Sequence, residues 1–165
     1  MKLVPLHERF LAEVHEDLPE WKFIASRRHY RKNLPGKNLL VHVSFINHDR
    51  DFDATLDVSV EFLIDKKRSC VIGASLGNIE GSGQVRYSVA SELSAVSAAH
   101  EAVAHLKRIG FPFLERYASA PAVLAALKAG GAEAQLISPL IQFHAQQISA
   151  LESITSAGSQ ETHSR

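Results

Sequence analysis

Leu39-Leu40-Val41-His42-Val43-Ser44-Phe45-Ile46 is followed, after a polar link, by Ala54-Thr55-Leu56-Asp57-Val58-Ser59-Val60-Glu61-Phe62-Leu63-Ile64. Leu39, Val41, Val43 and Phe45, and then Ala54, Leu56, Val58, Val60, Phe62 and Ile64, form an apolar set at alternate positions, the two-residue period of a strand with one face buried. The link Asn47-His48-Asp49-Arg50-Asp51 is too short for a crossover helix, so the two strands form an antiparallel hairpin. This hairpin decides the fold, and the rest of the chain is read outward from it.

Upstream, Leu34-Pro35-Gly36-Lys37 is a turn by its chemistry, and Trp21 to Lys32 reads as one or two further strands. Before it, Leu6, Phe10, Leu11, Val14 and Leu18 recur at three- and four-residue intervals and predict an amphipathic helix that stops before Pro19. Downstream, Ser69 to Leu76 and Gln84 to Val89 extend the sheet as a meander across the loop-like, glycine-rich stretch from Gly77 to Gly83. From Ser91 the period is helical: Leu93, Val96, Ala99, Val103, Leu106 and Ile109 form a stripe ended by Gly110. Short helices follow around Phe113 to Tyr117 and Pro121 to Lys128. A last helix takes Ser138 as N-cap and Pro139 as its first residue. The expected class is α+β: an antiparallel meander sheet of about four to five strands, with an N-terminal helix and C-terminal helices on one face. One domain spans residues 1 to 155, and the polar tail from Ser156 to Arg165 is expected to be disordered.

The 165 residues carry 18 Lys plus Arg against 18 Asp plus Glu, so no bulk charge points to nucleic acid or a membrane surface. The opening residues meet charge too early for a signal peptide, and no apolar run approaches a membrane span. Cys70 is the single cysteine, which rules out a disulfide framework within the chain and suits the cytoplasm.

Three motifs resemble chemistry and fail on context. Gly73-Ala74-Ser75-Leu76-Gly77 matches the G-x-S-x-G elbow of serine hydrolases, but the residues after it read as a loop where an elbow requires a helix. His100 and His105 stand five residues apart, one more than the zinc-binding H-E-x-x-H allows, which turns them roughly 140° apart on a helix. Asp49, Asp51 and Asp53 begin like a calcium loop, but its obligatory glycine and glutamate positions hold Ala54 and Val60. No catalytic residue, metal site or cofactor is assigned.

Charge order is more informative. Lys22, Arg27, Arg28, Arg31, Lys32 and Lys37 lie between Trp21 and His48 with no acid among them, whereas six acids lie from Asp49 to Asp65 against Arg50 alone. Arg27, Arg28, Tyr30, Arg31, Asp57 and Glu61 are therefore the candidate binding residues. Two readings stand: the arginines with Tyr30 as stacking face form a groove for nucleic acid or an anion, or Asp57 and Glu61 pair with arginines of a neighbouring strand. In the last helix Ile141, Ile148 and Leu151 are candidates for a partner or homodimer surface, the alternative being that this stripe packs back on the chain's own sheet.

Trp21-Lys22-Phe23, Tyr30-Arg31-Lys32, the two hairpin strands and the run Leu106-Lys107-Arg108-Ile109-Gly110-Phe111-Pro112-Phe113-Leu114-Glu115-Arg116-Tyr117 resemble a bacterial family known as domain of unknown function 4304, over about residues 1 to 130. The resemblance implies an α+β fold and carries no catalytic residue. The leading functional expectation is a non-enzymatic protein that binds a macromolecule through an exposed sheet face. Nucleic-acid or anionic-ligand binding is the alternative, and a hydrolase using Ser75 the weaker one.

Overall fold

The computed structural model describes residues 2–161. Its centre is a six-stranded, wholly antiparallel sheet: β1 (Lys22–Ile24), β2 (His29–Leu34), β3 (Lys37–Asn47), β4 (Phe52–Leu63), β5 (Ser69–Ser75) and β6 (Tyr87–Val89). The hairpin is β3 and β4, paired without interruption from Lys37 opposite Phe62 to Asn47 opposite Phe52. The segment from Trp21 divides into two strands because the chain reverses through a 3-10 turn, Ala25–Arg27, closed by Arg28 in a left-handed conformation (φ 50°).

The sixth strand departs from a meander. Strand β3 occupies one edge of β4, and the opposite edge is shared, with β5 along Asp57–Leu63 and β6 along Phe52–Ala54. A short helix, α2 (Leu76–Glu80), turns the chain between them, where the sequence reads as a loop. Ser75 caps its N-terminus by accepting from the Asn78 amide, and Gly81, left-handed at φ 79°, closes it. The returning loop packs so tightly that a Cβ on Gly77 would lie 1.6 Å from the Gly83 carbonyl oxygen. Strands β5 and β6 thus fork apart at Thr55 and Leu56.

One face of the sheet is covered. Val41, Val43, Phe52, Ala54, Leu56, Val58, Val60 and Phe62 are buried beneath α1 (Val4–Glu16) and α3 (Glu92–His105). The buried face of α3 is built of Ala95, Ala98, Ala99 and Ala102, small residues that let α1 approach, whereas Leu93 of the expected stripe is 82 % exposed. Gly110 does not end the helix. It has helical dihedrals, and the chain continues through a π-helical turn, Leu106–Gly110, into α4 (Phe111–Tyr117). The glycine serves close packing instead: a Cβ there would meet Leu106, Leu76 and Val58 at 2.7, 3.0 and 3.1 Å.

Helices α5 (Ala120–Ala129), α6 (Gly131–Ile137) and α7 (His144–Glu161) pack at the β5 side of the sheet. Ser138 ends α6 rather than capping the last helix. Its hydroxyl donates to Gln147, and a 3-10 turn at Ile141–Phe143 leads into α7. The helix continues through residues 156–161, where a disordered tail is expected, because the alanine- and serine-bearing backbone extends a helix already anchored at Leu151. Residues 162–165 lie outside the described residues. No helix among the described residues is long and apolar enough to cross a membrane.

Candidate binding site

The alternation that buries one face of β4 leaves the other partly exposed, with α6 standing beside it next to β5. Asp53, Thr55, Asp57, Ser59 and Glu61 line it along β4. The strand register places His29, His42, Asp57 and Ser75 in one row across β2, β3, β4 and β5, next to a row of Arg31, Leu40, Ser59 and Gly73.

The three acids of β4 have different surroundings. Asp53 accepts a 2.6 Å hydrogen bond from Ser88 and lies 3.4 Å from His48 and 3.6 Å from Arg86. The Ser88 hydroxyl first, with His48 and Arg86, holds its carboxyl below the usual range. Glu61 accepts from the Asn38 side chain at 2.8 Å. Asp57 accepts no hydrogen bond and makes no ion pair among the described residues. Burial pushes its carboxyl above the usual range, opposed only by the charge of His42 across the strand pair.

Asp57 borders two hollows. A cleft of about 780 Å³ has Asp57, Ser59, Gly73 and Ser75 on its floor, with α6 and Pro139 as its wall. A narrower cavity of about 200 Å³ lies in the fork between β5 and β6, again bordered by Asp57, Ser75 and Asn78. The floor is low at Gly73 because nothing larger fits: a Cβ there would lie 2.4 Å from the Val58 carbonyl oxygen and 2.6 Å from the Ser59 Cβ. Among the described residues no cationic side chain borders either hollow.

The six residues expected to bind are not brought together. Tyr30 is buried on the helix side, where its hydroxyl donates to the Leu11 carbonyl at 2.6 Å, so it offers no stacking face. Its position opposite Val41 sets that orientation. Arg28 lies over the Phe45 ring at 4.8 Å, and Arg27 sits exposed in the turn. Of the four basic and aromatic candidates, Arg31 shares the open face with Asp57 and Glu61, but β3 separates them by two strand spacings, about 9–10 Å, and among the described residues no arginine pairs with either acid. The Nε2 of His29 and the Nε of Arg31 are instead buried without a hydrogen-bond partner. Burial, followed by the charges of Arg27 and Arg31, holds the His29 imidazole below its ordinary value.

Of the motifs, G-x-S-x-G does lead from strand to helix, contrary to expectation. Ser75 nevertheless has ordinary extended dihedrals (φ −71°, ψ 151°), and its hydroxyl oxygen caps α2 with no histidine bonded to it. The two histidines of α3 diverge: His100 is exposed, 3.7 Å from Glu13, and His105 is buried. Among the described residues no group of three or more His, Cys, Asp or Glu side chains is placed to hold a metal ion.

His105 is part of a cluster that the sequence hides. The Tyr87 hydroxyl lies 2.6 Å from His105 Nδ1, and His105 Nε2 lies 3.0 Å from Glu80, which Arg108 also reaches at 3.3 Å. These residues tie β6, α3 and α2 together beside the fork. Its one trace in the sequence is the place of His105 between Ala102, Val103 and Leu106 of the buried stripe.

At the proposed assembly surface, Leu151 is fully buried in the chain's own core and Ile148 packs against it; Ile141 alone is exposed, at 58 %. The helix folds back because its apolar face finds α5 and β5. No family model, curated protein or solved structure matches the chain.

Proposed function

We propose that this is a non-enzymatic binding protein that recognises another macromolecule with the open face of its sheet, centred on the cleft at Asp57. The observation that carries this reading is a half-buried carboxylate with no hydrogen bond or ion pair among the described residues, on the floor of a cleft whose lining includes hydroxyl and amide side chains. Desolvating a charge without answering it destabilises the fold, and such an arrangement is retained where a guest supplies the missing interaction. The acids at the centre of the face complement a partner segment carrying positive charge. An enzymatic reading has less support, since no nucleophile and base stand within hydrogen-bond reach in the cleft.

The test is a peptide library displayed on phage, selected on the wild-type protein and re-screened on Ser59→Arg, which places a cation beside Asp57, and on Leu93→Arg, on the helix side. Enriched peptides should lose binding to Ser59→Arg and keep it on Leu93→Arg. Peptides indifferent to Ser59→Arg, or no enrichment, would overturn the reading.

A second reading, an anionic ligand at β2, draws on the buried, unpartnered nitrogens of His29 and Arg31. Titration with inorganic phosphate should then move the resonances of these two side chains together; unmoved resonances would dismiss it. Single-stranded nucleic acid is the less suitable anion, because no Phe, Tyr or Trp of β2, β3, β4 or β5 stands on the open face as a stacking platform.

A further inference from the structure

We infer that the Asp57 cleft seats one cationic side chain, lysine or arginine, of the partner; the inference rests on the reading of the open face as the recognition surface and names its anchor. Four observations meet here. Asp57 is the one acid of β4's open face with neither a hydrogen bond nor an ion pair among the described residues, Asp53 and Glu61 being occupied by Ser88 and Asn38. Among the described residues no lysine, arginine or histidine lines the cleft, and the like charge that reaches Asp57 is that of His42, which lies across the strand pair outside the lining. The wall is apolar where a methylene stem would lie, at Val71, Ala132, Leu136 and Pro139, and long basic side chains bury such stems while their heads seek polar partners. The same cleft is lined by Ser59, Ser75, Asn78 and Gln135, whose side chains carry oxygen acceptors for the N–H groups of an ammonium or guanidinium that Asp57 leaves unpaired.

The shape agrees with the chemistry. Gly73 keeps the floor free of a side chain opposite Ser59, so a guest can descend to the level of the carboxylate. Burial strengthens a charge-assisted hydrogen bond relative to an exposed pair, and the half-buried Asp57 has that advantage over Asp65, which is engaged at the surface with Arg68 at 2.7 Å. An anionic guest would face the like charge of the carboxylate, and a purely apolar one would leave Asp57 further desolvated and without a hydrogen bond.

The experiment is a titration of the isotope-labelled full chain, followed by amide NMR shifts, with three capped tripeptides: acetyl-Gly-Xaa-Gly-amide with arginine, lysine, or citrulline, the neutral isostere of arginine. The arginine and lysine peptides should shift Asp57, Ser75, Asn78 and Gln135 saturably, with the citrulline peptide at least about tenfold weaker. Asp57→Asn should remove the shifts while leaving the remaining spectrum in place. Equal binding of the citrulline peptide, undiminished binding to Asp57→Asn, or shifts spread over every surface acid would overturn the inference. The phage selection separates the two readings. Face-directed peptides without a basic residue would end this inference and leave macromolecular recognition standing. Cation binding in the cleft, with no peptide sensitive to Ser59→Arg, would retain the cation seat and end recognition of a macromolecule.

Discussion

Asp57 and Ser75 are Cα partners on adjacent strands of the open sheet face, and across that pairing the Asp57 carboxylate receives no hydrogen bond from any described residue. Because burial raises its proton affinity, the folded chain holds the Asp57 proton more tightly than the unfolded chain. Folding then takes up a proton, and stability falls as pH rises from the ordinary carboxylate value through the raised one. Asp57→Asn should therefore melt higher than wild type at neutral pH, with the difference closing in acid. Thermal melts of both proteins across a pH series read this directly, and a variant less stable at neutral pH would mean that the carboxylate has a partner in the fold.

Gly73 sets the floor of the same cleft. An alanine there would press on the Val58 carbonyl and the Ser59 side chain. Gly73→Ala should destabilise by about 1–3 kcal/mol through overpacking, measured by denaturant unfolding. An unchanged midpoint would show that β4 and β5 separate freely at this point.

Tyr87 and His105 make a second, testable junction. With the Tyr87 hydroxyl donating to Nδ1 and Nε2–H donating to Glu80, every polar atom of the buried imidazole is satisfied. Tyr87→Phe should cost about 1–3 kcal/mol by leaving Nδ1 without a donor. The variant's histidine NMR resonances should report the lost bond, and an unaltered His105 signal would contradict the assignment.

Leu151 distinguishes a helix belonging to the domain from one built for assembly. Leu151→Ala should destabilise by about 2–5 kcal/mol, the range for a buried leucine. Ile141→Ser, at an exposed position, should stay within about 0.5 kcal/mol of wild type in the same unfolding assay. Equal small effects would place α7 outside the core.

The hairpin is legible because a period of two, sustained through β3 and β4, fixes which residues face inward. Where both alternate sets are mixed, the phase is lost. In β2 the charged residues surrounding Tyr30 suggest exposure, and only its register against Val41 turns it into the core. Glycine misleads in the same way. Gly110 has the look of a helix end but permits a helix to touch the sheet, and Gly77 hides a helix of five residues that Ser75 before it and Gly81 after it do announce. The charge order is correct as chemistry and wrong as pairing. Asp57 and Glu61 fall on β4 and Arg31 and Lys32 on β2, and β3 keeps them apart. Asp57 is therefore legible as a candidate, while its isolation is a product of sheet order that residue spacing does not convey.

The central claim concerns where a partner lands. An amide shift map of the wild-type protein with a peptide from the phage selection measures this most directly. The largest changes should fall on Asp57, Ser59, Gly73, Ser75 and Asn78. Changes centred on Leu93 of α3, or on the exposed Leu140, Ile141 and Phe143, with the open face unmoved, would contradict the account.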